Sequence, residues 1–169
     1  MTPEETIKTA IEYETKIRDL YIEAVGKITD PVGKRIFQTL GDDEQYHLDY
    51  LKKRLSEWKT TGKLSVEKLE STIPSKEVIG REVAKLKATM SEEDRGLEQQ
   101  ILSKALKMEI ETSDFYRKMV GETSCQEQEM FAQFLEIEDA HINAVQAELD
   151  YIMKTGYWFD FKEFDMEQL

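Results

Sequence analysis

The sequence predicts an all-α fold, an antiparallel four-helix bundle, and three observations carry that prediction. Proline occurs only at Pro3, Pro31 and Pro74, and Ala, Leu, Glu, Lys, Gln and Met are common between them, a composition suited to long helices. Four segments open on capping chemistry, and glycines mark their ends. Within each segment apolar residues recur at helical spacing.

The first helix is expected over residues 3–26. Thr2-Pro3-Glu4-Glu5 supplies an N-cap hydroxyl, a proline at the first helical position and a glutamate three residues on. Its apolar stripe is Ile7, Ala10, Ile11, Ile17, Tyr21 and Val25. The second, over 31–60, repeats the cap-then-proline signal at Asp30-Pro31. It carries Ile36, Phe37, Leu40, Leu48, Leu51, Leu55 and Trp58 as far as Thr60-Thr61-Gly62. The third, over 92–120, opens at Ser91-Glu92-Glu93-Asp94, shows Leu102, Leu106, Tyr116 and Met119, and closes at Gly121. The fourth, over 125–155, starts from a capping box at Ser124-Cys125-Gln126-Glu127 and runs through Phe131, Phe134, Val145, Leu149 and Ile152 to Gly156.

Short joins after the first and third helices make antiparallel hairpins, and the long stretch from about Gly62 to Ser91 suits a crossover between them. Its second half, Ser75 to Met90, reads as a short helix. The tail 157–169 begins Tyr157-Trp158-Phe159-Asp160-Phe161, too aromatic to hang in water, so it is expected to dock on the bundle or on a partner subunit. The whole, 1–169, is expected to be a single domain.

Composition narrows the function classes. A formal net charge of -12 repels phosphate backbones and anionic lipid surfaces, so neither nucleic acid nor membrane is an expected partner. The N-terminus lacks a basic and apolar leader, and no stretch approaches a membrane span, which reads as a cytoplasmic chain. Cys125 is the only cysteine, so any metal must be held by carboxylate and imidazole.

The chain repeats itself. Helix one lies on helix three at an offset of 95, with Glu14 on Glu109 and Tyr21 on Tyr116. Helix two lies on helix four at an offset of 94, with Phe37 on Phe131, Glu44 on Glu138 and His47 on His141. The sequence is two copies of one helical hairpin. A helix turns about 100° per residue, so Glu14 falls in the stripe of Ile7, Ile17 and Tyr21, whereas Glu12 faces out. By the same geometry Glu109 points inward and Glu111 outward, and the ExxH spacing puts Glu44 with His47, and Glu138 with His141, on one inward face.

Four carboxylates buried together would cost several kcal/mol per ion and drive one another's pKa upward. Two divalent cations cancel their charge, and a mixed oxygen and nitrogen donor set suits iron or manganese. The candidate ligands are therefore Glu14, Glu44, His47, Glu109, Glu138 and His141. A lone ExxH is weak evidence: with 24 glutamates among 169 residues, both histidines acquire one by chance about once in fifty. The conjunction is stronger, because both motifs fall at equivalent points of a repeat and each is preceded by an inward glutamate.

This pattern resembles the ferritin-like di-metal carboxylate proteins, built from one Glu on each of two helices and Glu-x-x-His on the other two. Within them it is most similar to the rubrerythrin group, over about residues 1–155. The resemblance implies bridging roles for Glu44 and Glu138, with Glu14 and His47 completing one metal and Glu109 and His141 the other. It implies two iron ions, a manganese or mixed pair being the alternative. Tyr21 and Tyr116 would donate hydrogen bonds to the ligand carboxylates, or serve as core aromatics. Two features depart from the family. Rubrerythrins carry a four-cysteine rubredoxin domain, so this chain would need an external electron-donor protein such as a rubredoxin. They also place a further glutamate one turn after the third-helix ligand, where this chain has Thr112.

The implied function is an oxidoreductase that reduces peroxide or dioxygen, working as a homodimer. A ferroxidase-like iron-handling protein is the second expectation, and a non-enzymatic bundle with structural metals the third.

Overall fold

The computed structural model describes residues 1–85, 96–156, 158 and 161, with the side chains of 82–85 and 155 excluded. Among the described residues it is all-helical: α1 (Pro3–Lys27), α2 (Pro31–Thr61), α3 (Lys76–Lys85), α4 (Gly96–Glu122) and α5 (Cys125–Thr155). The expected opening of the third long helix, 91–94, lies outside the described residues, as does the end of the short crossover helix.

The caps explain most boundaries. Thr2 Oγ1 accepts from the Glu5 amide while a Glu5 carboxylate oxygen accepts from the Thr2 amide, so the first capping box forms as expected. Asp30 accepts from the Val32 and Gly33 amides ahead of α2. Gly62 and Gly156 close α2 and α5 with φ of 67° and 72°, the left-handed region that glycine enters without a Cβ clash. Two expectations need correction. The Ser124 side chain makes no capping bond, because Cys125 itself takes a left-handed φ of 54° and turns the chain away from box geometry. Gly121 does not end α4, which runs one residue further to Glu122.

α1 packs on α2 and α4 on α5, the two hairpins meet through α1 and α4, and α3 lies on α5. The buried apolar residues form two clusters. One takes Ile17 and Tyr21 from α1, Ile36, Phe37 and Leu40 from α2, Leu102 and Ala105 from α4, and Val145 and Ile152 from α5. The other takes Ile7 and Ala10, Leu51, Tyr116 and Met119, and Phe131 and Phe134 from the same helices. The later half of α1 thus meets the earlier half of α2, the earlier half of α4 and the later half of α5, so the two helices of each hairpin run antiparallel, as do α1 and α4, while α2 and α4 run parallel. Residues 14, 44, 47, 109, 138 and 141 fall between the clusters on every helix.

The expected stripes hold with small shifts. Ala24 and Thr6 are buried on α1, while Ile11 and Val25 are only partly so. Of the tail, Trp158 and Phe161 are described and both are buried in the first cluster. Trp158 meets Phe37 edge-on at 5.2 Å and presses so close to Gly33 that a Cβ there would stand 2.5 Å from its ring. Trp158 thus docks on the chain's own α2.

An extended strap, residues 63–75, links α2 to α3. Arg54, fully buried, donates to the Ser65 carbonyl and hydroxyl; the Tyr50 hydroxyl donates to the Glu67 carbonyl; the Leu69 amide donates to Gln133. No helix among the described residues is long and apolar enough to cross a membrane.

Candidate metal centre

The stripe that buries Ala10, Glu14, Ile17 and Tyr21 on α1 is matched on α4 by Ala105, Glu109, Thr112 and Tyr116. A helix that turns its apolar face inward at this spacing carries the glutamate in with it. On α2 and α5 the ExxH pairs do the same. Glu14, Glu44, His47, Glu109, Glu138 and His141 are all fully buried, each at 0% exposure.

Their donor atoms converge in two overlapping sets. Glu14, Glu44, His47 and Glu138 form one and Glu44, Glu109, Glu138 and His141 the other, with the ligand atoms of each set within 4.8 Å of one another. Glu44 and Glu138 belong to both, as bridging carboxylates would. His47 Nδ1 lies 3.1 Å from Glu44, 3.4 Å from Glu14 and 3.7 Å from Glu138. His141 Nδ1 lies 2.8 Å from Glu44 and 3.6 Å from Glu109. The two imidazole rings are nearly parallel, 14° apart in plane, at 5.3 Å.

Sequence reasoning missed Asp43. It is buried, and its carboxylate backs the His141 ring: His141 Nε2–H donates to Oδ2 at 2.7 Å, whereas His47 Nε2 stands 3.5 Å from the same oxygen without an aligned hydrogen bond. Ser71 donates to Oδ2 at 2.7 Å, and the Thr72 amide and hydroxyl donate to Oδ1 at 2.8 and 3.2 Å. A carboxylate behind a histidine fixes the tautomer, leaving the opposite ring nitrogen as the free lone pair. Asp43 lies one helical turn before His47, which was a usable signal. It stands beside Asp42 in what reads as a solvated acidic run, and its repeat equivalent is Ile137, so the internal repeat gave no second witness.

Asp43, His47 and His141 also form a compact triplet. The bonding decides which side a cation would take. Asp43's oxygens are taken by hydrogen-bond donors, and on that side His47 Nε2 lacks an aligned partner, whereas among the glutamates Glu44 Oε1, Glu109 Oε2, both Glu138 oxygens and His141 Nδ1 lack one. Buried acceptors left in that state cost about 1–3 kcal/mol each, more when charged. The unmet demand for positive charge lies on the Nδ1 side, among the glutamates, and the mixed carboxylate and imidazole set there fits a first-row divalent ion.

The electrostatics report the same crowding. Burial, reinforced by the Glu14 charge, pushes Glu44 up to about 8, and burial with Glu14 and Glu44 raises Glu138 far above the carboxylate range. Burial opposes charging of His47, yet Glu14 and Glu44 beside it raise it to about 10, and His141 is raised in the same way by Glu44 and Glu109. Burial would also lift Glu14, but its hydrogen bonds to Glu44, His47 and Tyr116 take it down to about 2. Asp43, buried but bonded to His141 and Thr72, is held well below the carboxylate range. The raised groups hold protons that a cation would displace.

Tyr21 and Tyr116 are fully buried and both donate to candidate-ligand carboxylates, each across to the opposite hairpin: Tyr21 to Glu109 at 2.5 Å, Tyr116 to Glu14. Thr112 is buried, but its hydroxyl donates to the Met108 carbonyl of its own helix, and Glu111 is exposed as its helical position requires. No carboxylate from that turn of α4 joins the cluster.

No family model, curated protein or solved structure matches the chain.

Proposed function

We propose that this protein is a di-metal carboxylate oxidoreductase with a ferritin-like four-helix bundle, akin to the rubrerythrin group, that uses a pair of iron ions to reduce peroxide or dioxygen. The observation that carries this reading is the pair of overlapping four-residue sets sharing Glu44 and Glu138, fully buried between two apolar clusters. Bound iron would supply the redox chemistry, cycling between its two common oxidation states.

The chain supplies the rest. Glu44 and Glu138, common to both sets, would serve both metals, Glu14 with His47 would hold one, and Glu109 with His141 the other. Tyr21 and Tyr116 engage one oxygen of Glu109 and of Glu14 and so orient the second. Asp43 keeps the His141 Nε2 proton in place, which would leave its Nδ1 lone pair free for a metal. The flanking layers, with Phe37, Leu40 and Leu102 on one side and Phe131 and Phe134 on the other, keep bulk water out. The reading includes a separate electron-donor protein such as a rubredoxin, since the single cysteine of this sequence offers no four-thiolate iron site. A cytoplasmic homodimer is the assembly proposed with this reading.

One observation favours ferroxidase-like iron handling as a second reading. The ligand set is symmetric about the repeat, and at Thr112 the hydroxyl is tied to Met108, so no carboxylate from that position breaks the symmetry. A single experiment separates them: protein loaded with ferrous iron without oxygen is titrated with hydrogen peroxide. Fast oxidation with repeated turnover under a supplied reductant supports the peroxide-reducing reading. Uptake and oxidation of many ferrous ions per chain in a large hollow particle favours iron handling, and inertness to both peroxide and dioxygen rejects both.

A further inference from the structure

The bonds of Asp43 extend beyond the histidines. Its carboxylate is the third anchor of the strap: the first is Arg54 on Ser65, the second Tyr50 and Gln133 around Glu67 and Leu69, and the third Asp43 on Ser71 and Thr72. Only the third also touches the metal centre. Oδ2 is shared between the Ser71 hydroxyl and His141 Nε2, each at 2.7 Å, while Oδ1 is taken up wholly by Thr72. The Ser71 oxygen in turn accepts from the Ile73 amide at 3.2 Å, which orients its own proton toward Asp43. Asp43 sits on α2, with the strap over one side of it and the histidines on the other. Ile137, its repeat equivalent on α5, offers no matching carboxylate, so the clamp has no counterpart in the other hairpin.

We propose that Ser71 and Thr72 are positioning residues of the metal centre. By clamping both oxygens of Asp43 they set the point at which His141 Nε2 is held, and hence where its Nδ1 stands relative to Glu44 and Glu109. The strap is thereby part of the site, although it contributes no ligand. Coupling between two equilibria is reciprocal, so whatever factor the clamp adds to metal affinity, metal adds to closure of the strap at Ser71–Thr72. The more distant anchors at Ser65 and Glu67 bond Arg54 and Tyr50, not Asp43, and do not share in it.

This inference rests on the metal reading above, and zinc, a diamagnetic probe for the same donor set, tests the two separately. Zinc stoichiometry and affinity are measured by competition titration for wild type, Ser71→Ala and Ser71→Thr, and backbone amide exchange is followed with and without zinc. Removing a carboxylate that touches a ligand histidine costs about 10–100-fold in metal affinity, so one bond further out Ser71→Ala is expected to cost roughly 3–10-fold. Ser71→Thr, which keeps the hydroxyl, is expected to restore it. In wild type, zinc is expected to slow exchange at Thr72 and Ile73 while leaving Ser65–Glu67 unchanged, a readout that needs no variant to fold. The proposal is overturned if zinc binds and Ser71→Ala matches wild type, if Ser71→Thr fails to rescue, or if zinc protects the whole strap uniformly. A wild-type protein that takes up no zinc, iron or manganese overturns the metal reading itself, and this inference with it.

Discussion

The Tyr21 hydroxyl donates to Glu109, 88 residues away in the chain, and the Tyr116 hydroxyl returns the same bond to Glu14 across 102 residues. Each tyrosine lies seven residues after the glutamate of its own hairpin yet serves the other hairpin's, because α1 and α4 run antiparallel through the site. The exchange ties the two repeats together at the polar layer, where no apolar packing can do so.

Tyr21→Phe and Tyr116→Phe therefore each leave a buried carboxylate short of a donor while preserving volume. Each is expected to cost about 1–3 kcal/mol in chemical denaturation. Tyr21→Phe should weaken chiefly the metal position served by Glu109 and His141, and Tyr116→Phe the one served by Glu14 and His47. Unchanged stability in both variants would mean that the bonds contribute nothing net.

Proton linkage gives a second test. Glu44 moves from an ordinary 4.5 to about 8 and His47 from 6.5 to about 10, both raised. A raised group stabilises the fold below its unfolded pKa, and that contribution is lost as pH climbs through the folded value. Metal-free protein is therefore expected to lose thermal stability progressively from above pH 4.5, where Glu44 begins to contribute less, toward pH 10, because the protons that offset the buried carboxylates leave. Glu14, lowered to about 2, has the opposite sign and is lost only in strong acid. Metal loading replaces those protons, so the loaded protein should show a flatter alkaline limb, and proton release on loading should be measurable near neutral pH. An alkaline limb unchanged by metal would show that these groups do not carry the linkage.

The docked tail yields a prediction that changes sign. Gly33→Ala gains up to about 1 kcal/mol of helix propensity but drives a Cβ into the Trp158 ring, an overpacking worth about 1–3 kcal/mol. The net effect expected in the wild-type background is a modest loss, seen as a lowered midpoint of unfolding. With Trp158→Ala the clash disappears and the same Gly33→Ala should become stabilising. Two additive effects would show that the ring does not press on this helix in solution.

How much of this was legible beforehand depends on the range of each interaction. Thr2, Asp30, Gly62 and Gly156 act on their own helix ends, and the bounds they set could be read directly from the sequence. The inward turn of Glu14, Glu109 and the ExxH pairs was legible for the same reason, since helical phase alone decides it. The Ser124 box was misread because a capping motif assumes ordinary backbone, and the left-handed turn at Cys125 is not written in side-chain pattern. Asp43 could be flagged by its spacing from His47, but its bonds to His141, Ser71 and Thr72, like the crossing of the tyrosine bonds, depend on which helices meet and on where the strap falls. Helical phase says which way a side chain faces, not which partner it finds.

The central claim is that two metals share Glu44 and Glu138, and counting bound metal in paired variants tests it most directly. Protein purified without oxygen and loaded with ferrous iron should hold two ions per chain. Glu14→Ala should retain about one, because the set Glu44, Glu109, Glu138 and His141 stays whole, whereas Glu44→Ala, which removes a member of both sets, should hold close to none. Wild type with no bound metal, or Glu14→Ala and Glu44→Ala losing metal in equal measure, would contradict it.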